Sequence, residues 1–204
     1  MDTRISKNEI DFLMKNLNPK IVELQRNTII HADDMKYHLS IILNGLVYLC
    51  VEHEDCNRSI LNFFRAREYF TKNMLIPVEN GISYFAVKSK SYVIYFNRYD
   101  IISLNSKDKR WINNTVENIF TLSESSLLKT NLMLHNKSLR SKLTYFFKNE
   151  VDKQHSNNIN VPVPFSDLAD FLSVERTAMM KEIRRMKDEG IISGKNRKLT
   201  INKL

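Results

Sequence analysis

Glycine and proline, the residues that most often interrupt helices and strands, are scarce in this sequence, with four of each among 204 residues. Neither occurs between Asp108 and Val161, which permits long helices there. Long apolar runs are also missing, since no stretch approaches the eighteen consecutive apolar residues of a membrane-spanning helix. The first residues, MDTRISKNEIDF, lack the apolar core of a secretory signal. We therefore expect a cytoplasmic protein that does not enter a membrane.

Residues that bind metals or carry redox chemistry are equally few. The two cysteines, Cys50 and Cys56, lack CxxC spacing and have no further cysteine to complete a zinc or iron–sulfur set. The five histidines stand singly and form no HxxxH or HExxH pair. We predict no metal site and interpret the cysteines as incidental thiols. A redox-sensing thiolate is the alternative, and it would need an exposed, electropositive setting.

The chain carries an excess of positive charge. It contains 31 lysines and arginines against 23 aspartates and glutamates, so its formal net charge is +8 and its isoelectric point is about 9.4. This balance favours an anionic partner without identifying one. A hydrophobic content of 43% suffices for ordinary cores, and 204 residues can form one large domain or two small ones.

The first hundred residues predict a helix followed by a series of short strands. Ser6 and Glu9 form a capping-box pattern before apolar residues at helical spacing, and Asn18–Pro19 ends that helix. Polar segments then separate short runs rich in Ile, Val, Tyr and Phe, which is typical of an antiparallel sandwich, barrel or jelly roll. The predicted strands are Thr28–His31, Leu39–Leu43, Leu46–Val51, Ser59–Phe64, Tyr84–Val87 and Tyr92–Phe96.

The strongest turn signal in this region is Asn44–Gly45, which stands between two apolar strands. Asparagine followed by glycine supplies the positive φ angles of a tight turn, so this pair predicts a hairpin. Its weight is greater because the whole chain has only four glycines.

The segment after Asp100 predicts helices. Helical spacing is clear at 112, 116 and 119 and lapses at 122–126. Another helix is marked by Leu139, Leu143, Phe146 and Phe147 and is predicted to end before the polar stretch KQHSNNIN at 153–160. The first of these helices has more apolar surface than one small β-domain covers, so we predict that it forms a dimer interface. The residues predicted for that interface are Ile112, Val116, Ile119, Phe120 and Leu127. The alternative is a core helix that packs within its own chain.

Two short helices joined by a tight turn are predicted within Phe165–Ile201. Ser166 is positioned to cap the first helix, and Ser173–Val174 interrupts the helical pattern. The second helix runs from about Arg176 to Lys187. Its predicted core side carries Met179, Ile183 and Met186, and its opposite face carries Thr177, Met180, Lys181 and Arg184.

A basic β-hairpin, or wing, is predicted directly after the second helix. Gly190 ends the helix, Ser193–Gly194 forms the turn, and Lys198–Ile201 forms the returning strand. No acidic residue occurs from Gly190 to the end of the sequence. The cations that we expect to contact phosphates are Lys195, Arg197 and Lys198.

A basic helix face is, in an isolated case, usually only a solvated surface. Here two helices, a turn, a basic second helix and a basic hairpin occur in the order of a winged helix-turn-helix unit. That combination favours DNA binding.

The residues that carry these features resemble the Crp/Fnr family, the relatives of the cyclic-AMP receptor protein, over nearly the whole chain. Ile42, Gly45 and Val47 match the I-x-x-G-x-V element of that family's β-roll, and AVKSKSYVIYFNRYDII resembles its closing strands. SDLADFLSVERTAMMKEIRRMKDEGII resembles its winged helix-turn-helix signature. The resemblance implies a homodimer whose two recognition helices enter successive major grooves of a palindromic site.

By matching positions, the resemblance assigns base and phosphate readout to Arg176, Thr177 and Lys181. The last of these is usually arginine in the family, and lysine lacks its bidentate fork. Glu175 replaces a short capping residue and is expected to be a weaker N-cap. Met180 offers an apolar tip for a thymine methyl group, and Arg184 assists.

The effector region departs from the family pattern. Family members that bind cyclic nucleotides carry a Gly-Glu pair and an Arg-Ser/Thr pair, whereas Thr71–Lys72 stands where Gly-Glu belongs. No arginine lies between Arg67 and Arg98 to compensate a buried phosphate. We therefore expect no cAMP cofactor. The effector is either another small molecule or absent, and its binding residues are unknown.

We predict an α+β chain with three parts. These are an antiparallel β-roll sensor domain in 1–105, a long dimerisation helix and hinge in 106–134, and a winged helix-turn-helix domain in 135–204. The predicted function is a sequence-specific, homodimeric transcription regulator that binds double-stranded DNA, with RNA polymerase as a candidate partner. The alternative is a small-ligand sensor that acts through protein contacts and has vestigial DNA binding. No nucleophile elbow, Walker loop or dinucleotide fingerprint occurs, so we predict no enzymatic activity.

Overall fold

A computed structural model describes residues 4–17, 19–35, 38–54, 58–75, 77–79, 81–97, 130 and 132–203. Two compact units divide the chain, Arg4–Glu124 and Ser125–Leu204. The division falls within the predicted connecting segment 106–134. Most of that segment lies outside the described residues, so the exact domain bounds stay a prediction.

The described part of the first unit contains two antiparallel four-stranded sheets, as the series of short strands predicts. The strands are β1 (Lys20–Leu24), β2 (Ile29–Ile30), β3 (His38–Asn44), β4 (Leu46–His53), β5 (Arg58–Arg65), β6 (Tyr69–Thr71), β7 (Gly81–Val87) and β8 (Ser91–Asn97). The first sheet has the order β1-β8-β3-β6 and the second the order β2-β7-β4-β5. Strands β1 and β6 are absent from the sequence prediction, because each is a short run whose apolar residues do not alternate with polar ones.

The two sheets enclose an apolar core. Ile42, Phe70 and Val93 contribute from the first sheet, and Val47 and Phe85 are among those that contribute from the second. The ring centroids of Phe70 and Phe85 lie 4.7 Å apart. Burial of side chains of this size stabilises the fold by about 1.5–3 kcal/mol each, before the cost of ordering the chain.

Helix α1 (Lys7–Asn16) covers the outer face of the first sheet. It begins with the predicted capping box, in which Ser6 Oγ accepts from the Glu9 N–H at 3.2 Å and the Glu9 carboxylate accepts from the Ser6 N–H at 2.8 Å. Its apolar side, which includes Leu13, packs against Ile94 and Phe96. The helix ends before Pro19, as predicted.

The turn at Asn44–Gly45 does not form the predicted hairpin. β3 pairs with β6 and β8, whereas β4 pairs with β5 and β7, so the turn carries the chain from one sheet to the other. Gly45 has φ +117°, and a Cβ atom there would lie 2.0 Å from Ser91 Oγ. The need for glycine is confirmed. The direct pairing is wrong, because local turn chemistry does not determine which sheet receives the next strand.

The described part of the second unit includes the three helices and the three-stranded sheet of the predicted winged helix-turn-helix. Its elements are α2 (Leu139–Gln154), β9 (Asn158–Asn160), α3 (Phe165–Phe171), α4 (Arg176–Asp188), β10 (Ile192–Lys195) and β11 (Lys198–Ile201). The sheet order is β10-β11-β9. Strand β9 lies in a stretch interpreted as polar from its sequence, where Ile159 is buried between two asparagines.

The predicted long helix stays a prediction. Its proposed dimer residues, Ile112, Val116, Ile119, Phe120 and Leu127, lie outside the described residues. Within the part of the chain that is described, no helix is long and apolar enough to span a membrane.

We expect Gly45→Ala to lower the free energy of unfolding by more than Gly190→Ala does. Both glycines have positive φ, but a Cβ atom at Gly190 meets nothing within 4 Å, so this control measures backbone strain alone. Strain costs about 1 kcal/mol, and the clash with Ser91 adds a further ~1–3 kcal/mol. Urea denaturation of both variants checks this, and equal losses would contradict the close contact with Ser91.

Candidate nucleic-acid interface

The turn after α3 sets where the second helix begins. The Val174 N–H donates to the Ala169 carbonyl at 3.0 Å, and Ser173 adopts φ +51° at the left-handed position of this Schellman-type ending. Lys142 Nζ of α2 donates to the Leu172 carbonyl at 3.0 Å, which ties the turn to α2. The predicted interruption at Ser173–Val174 is therefore confirmed.

Helix α4 is amphipathic, as predicted from its spacing. Met179, Ile183 and Met186 are 0–2% exposed and form its core side, where α4 meets α2, α3 and β10. The opposite side is solvent-exposed and carries Arg176, Thr177, Met180, Lys181 and Arg184. At 100° per residue these five positions span about 140° of the helix circumference. The predicted readout residues thus lie on one outward face.

Glu175 caps α4 with both of its carboxylate oxygens. Oε1 accepts from the Thr177 N–H at 2.8 Å, and Oε2 accepts from the Ala178 N–H at 2.6 Å. Glu175 thus caps the helix despite its length, because the longer side chain folds back and satisfies two free N–H groups. Its strength relative to a short cap stays a prediction. These hydrogen bonds, that of Thr177 foremost, hold the pKa of Glu175 below its ordinary value of 4.5. While this carboxylate holds the two N–H groups, a DNA phosphate cannot use them.

Gly190 ends α4, as predicted, and positions the wing. With φ +70°, its N–H donates to the Lys187 carbonyl, and the Ile191 N–H donates to the Met186 carbonyl, both at 2.9 Å. Lys187 Nζ also donates to the Gly194 carbonyl in β10 at 2.8 Å. The end of the helix and the first strand of the wing are therefore tied together.

The wing is the hairpin of β10 and β11, and its turn is Asn196–Arg197. The predicted turn at Ser193–Gly194 is wrong, because both residues lie within β10 and pair with β11. Asn196 supplies the left-handed conformation of the turn with φ +52°. Glycine is needed at position 194 for a different reason. The backbones of β10 and β11 approach closely there, and a Cβ atom would lie 2.3 Å from the Lys198 carbonyl oxygen.

The tip of the wing concentrates positive charge. Lys195, Arg197 and Lys198 are all exposed. Lys195 and Lys198 lie directly opposite each other across the hairpin, an arrangement that destabilises a sheet when the charges are alike. An anion bound at the tip would relieve this repulsion.

Ser166 does not cap α3. Pro164 occupies the N-cap position without a side-chain hydrogen bond, and Ser166 is the second residue of the helix. Its hydroxyl donates to Asp167 Oδ1 at 3.2 Å. The cap prediction is wrong because Pro164 starts the helix two residues earlier. The predicted phosphate contact of Ser166 stays a prediction.

Positive charge is divided unequally between the two units. Residues 125–204 contain 15 lysines and arginines against 8 aspartates and glutamates, so this segment alone has a net charge of +7, compared with +8 for the whole chain. This division is readable from the sequence and identifies the second unit as the one suited to an anionic partner.

The region of the first unit where the resemblance places an effector lacks the Gly-Glu and Arg-Ser/Thr pairs of the cyclic-nucleotide binders. Thr71–Lys72 lies at the end of β6, where a 3₁₀ turn, Lys72–Met74, begins and exposes Lys72. The sequence supplies no arginine between Arg67 and Arg98 for the phosphate. Cys50 is fully buried, so it lacks the exposure of a redox-sensing thiolate, and Cys56 lies outside the described residues.

We expect Glu175→Ala to lower the thermal midpoint at pH 7 and to lose this effect in acid. The native state lowers the pKa of this carboxyl group. Its stabilisation is therefore complete above the unfolded value near 4.5 and disappears as the pH falls through the lower native value. Circular dichroism melts between pH 7 and about pH 3 check the effect.

Asp188→Ala is the matched control for Glu175→Ala. Asp188 is an exposed acid at the opposite end of α4, where a negative charge opposes the helix dipole. Its removal should not lower the midpoint at pH 7. A difference between wild type and Glu175→Ala that stays constant throughout the acid range would contradict the capping role.

Solved structures share this architecture, although no protein-family model and no curated protein matches the chain. A cyclic nucleotide-binding domain containing protein from Listeria monocytogenes is 16% identical, with a TM-score of 0.73 over 95% of this chain and 97% of that one. FixK2 from Bradyrhizobium japonicum is 12% identical, with a TM-score of 0.68 over 90% and 92%. A CRP-family transcriptional regulator from Thermus thermophilus is 14% identical, with a TM-score of 0.61 over 88% and 91%. The chain therefore has the fold of the Crp/Fnr transcription regulators.

Proposed function

We propose that this protein is a transcription regulator that binds double-stranded DNA with sequence specificity. It acts as a homodimer on a palindromic operator, and its effector, where it has one, is not cAMP. The observation that carries the proposal is the outward face of α4, whose cations and Met180 occur together with the cationic turn of the wing in residues 125–204, a segment of net charge +7.

Helix α4 reads base edges in the major groove. Arg176 has the planar fork that pairs with guanine, and Lys181 donates to the same acceptors as a point charge. Met180, 39% exposed, suits the methyl group of thymine. Thr177 and Arg184 complete the face, where Thr177 donates to or accepts from either kind of base and Arg184 reaches bases or phosphates.

The wing and the start of α3 hold the DNA backbone. Lys195, Arg197 and Lys198 attract phosphates without regard to sequence, and binding releases the counterions of the duplex. The repulsion between Lys195 and Lys198 favours occupation by an anion. Ser166, in the first turn of α3, is the proposed contact to a further phosphate, for which its hydroxyl must turn from Asp167 Oδ1 to the phosphate oxygen.

Dimerisation through segment 106–134 sets the operator geometry. We propose that the dimer interface is the apolar stripe of that helix, which consists of Ile112, Val116, Ile119, Phe120 and Leu127. A two-fold dimer presents two α4 helices, so the half-sites are inverted and about one helical turn apart. RNA polymerase is the candidate partner through which DNA binding alters transcription.

We expect Arg176→Ala to reduce binding to the operator by about 1–3 kcal/mol and to relax the base preference at one position of each half-site. Binding to a random duplex should change much less, because a lost base contact matters only on the correct sequence. Fluorescence anisotropy on both duplexes checks this prediction. Equal losses on the two would show that Arg176 contacts only phosphates.

We expect Lys198→Gln to weaken binding to operator and random duplexes alike and to reduce the slope of log K against log salt by about 0.9. Lys7→Gln is the control, since Lys7 is an exposed lysine of the first unit. It removes the same charge and should leave the slope unchanged.

A wild-type protein that binds only random sequence with a full salt slope would favour the alternative, a small-ligand sensor with vestigial DNA binding.

A further inference from the structure

Arg140 connects α2 to two glutamates of α4. Its Nε donates to Glu182 Oε1 at 2.5 Å, and its Nη1 and Nη2 donate to the two carboxylate oxygens of Glu189 at 2.6 and 2.7 Å. Glu182 and Glu189 are seven residues apart and therefore lie on the same side of the helix. The planar guanidinium thus spans two turns of α4 with three of its five N–H groups.

Both ends of this contact are unfavourable within their own helices. Arg140 is the second residue of α2, where the positive end of the helix dipole disfavours a cation. Glu189 is the C-cap residue of α4, where the negative end disfavours an anion. Neither placement stabilises the helix that carries it. The contact between the two helices is what accounts for both.

The contact also determines where two negative charges of α4 lie. Glu182 follows Lys181 in the sequence, yet its side chain is only 12% exposed and turns towards Arg140. Arg140 also holds the pKa of Glu189 below its ordinary value through their hydrogen bonds, so this carboxylate stays ionised and paired. Two negative charges are in this way kept off the outward face that carries Lys181 and Arg184.

We propose that Arg140 is a positioning residue that fixes the orientation of α4 relative to α2 and thereby sets the sequence specificity of DNA binding. This inference rests on the proposed function and names a residue that does not itself touch DNA. The apolar stripe on α4 determines which side of the helix is buried, but methionine is flexible and tolerates small tilts. The three charge-assisted hydrogen bonds resist such tilts, because their geometry is directional.

The test compares the ratio of operator affinity to random-duplex affinity among variants with opposite changes of charge. Arg140→Met removes one positive charge, and its control, Lys148→Met, removes one from an exposed position of the same helix. The double variant Glu182→Gln with Glu189→Gln removes two negative charges, and its control, Asp152→Asn, removes one from an exposed position of α2. Charge alone predicts that the first pair weakens all binding and that the second pair strengthens it.

We expect Arg140→Met and the double glutamate variant both to lower the specificity ratio by about tenfold, as the misplacement of one base contact does. Neither control should change the ratio. Partial unfolding removes active protein from both duplexes equally, so it leaves the ratio unchanged. The proposal is overturned if affinities for both duplexes simply follow net charge across the four proteins.

Two further measurements keep the outcome decisive. If Arg140→Met does not fold, Arg140→Lys keeps the charge but cannot form the three-bond fork, and it should lower the ratio while leaving random-duplex affinity unchanged. If the wild-type protein shows no specificity, the proposed function fails. Amide hydrogen exchange then tests the positioning role without DNA. Protection of residues 182–189 should fall in Arg140→Met relative to Lys148→Met, and equal protection would contradict the role of Arg140.

Discussion

The burial of one apolar stripe on α4 is the constraint on which the rest of the second unit depends. The side chains of Met179, Ile183 and Met186 are buried only in the helix orientation that turns the opposite side to solvent. Each of these burials contributes about 1.5–3 kcal/mol, more than any surface contact of the helix. The same rotation displays Arg176, Lys181 and their neighbours together. Packing therefore determines the face that is available to a ligand, and the charges on that face do not have to support the fold.

Three glutamates of α4 and its caps are held away from this outward face. Glu175 is turned back onto the start of its own helix, and Glu182 and Glu189 are paired with Arg140 of α2. Lysines and arginines on the other side keep their charges directed to solvent. The wing adds further cations at its turn, so both parts of the proposed interface carry cations that attract an anionic polymer. This field attracts any duplex, whereas selection among duplexes requires the fixed orientation of α4.

Features that depend on local periodicity were predictable from the sequence, and features that depend on distant partners were not. The capping box of α1, the rotation of α4 and the stop at Gly190 follow from residues within one or two turns. The sheet that the strand after Gly45 joins could not be predicted in this way. Glycine allows the chain to turn there, but it does not determine which strand the next segment pairs with. The contact of Arg140 with Glu189 joins residues 49 positions apart. The bidentate cap of Glu175 was missed for a different reason, since a preference for short caps does not describe a side chain that folds back on itself.

Selection of bound sequences from a pool of random duplexes tests the central claim most directly, because it requires both the cationic surface and the fixed orientation of α4. The account predicts enrichment of a palindrome whose half-sites lie about 10 base pairs apart, the spacing of two recognition helices related by a two-fold axis. Recovery of sequences without a common motif, from a protein that binds DNA with a full dependence on salt, would contradict the account.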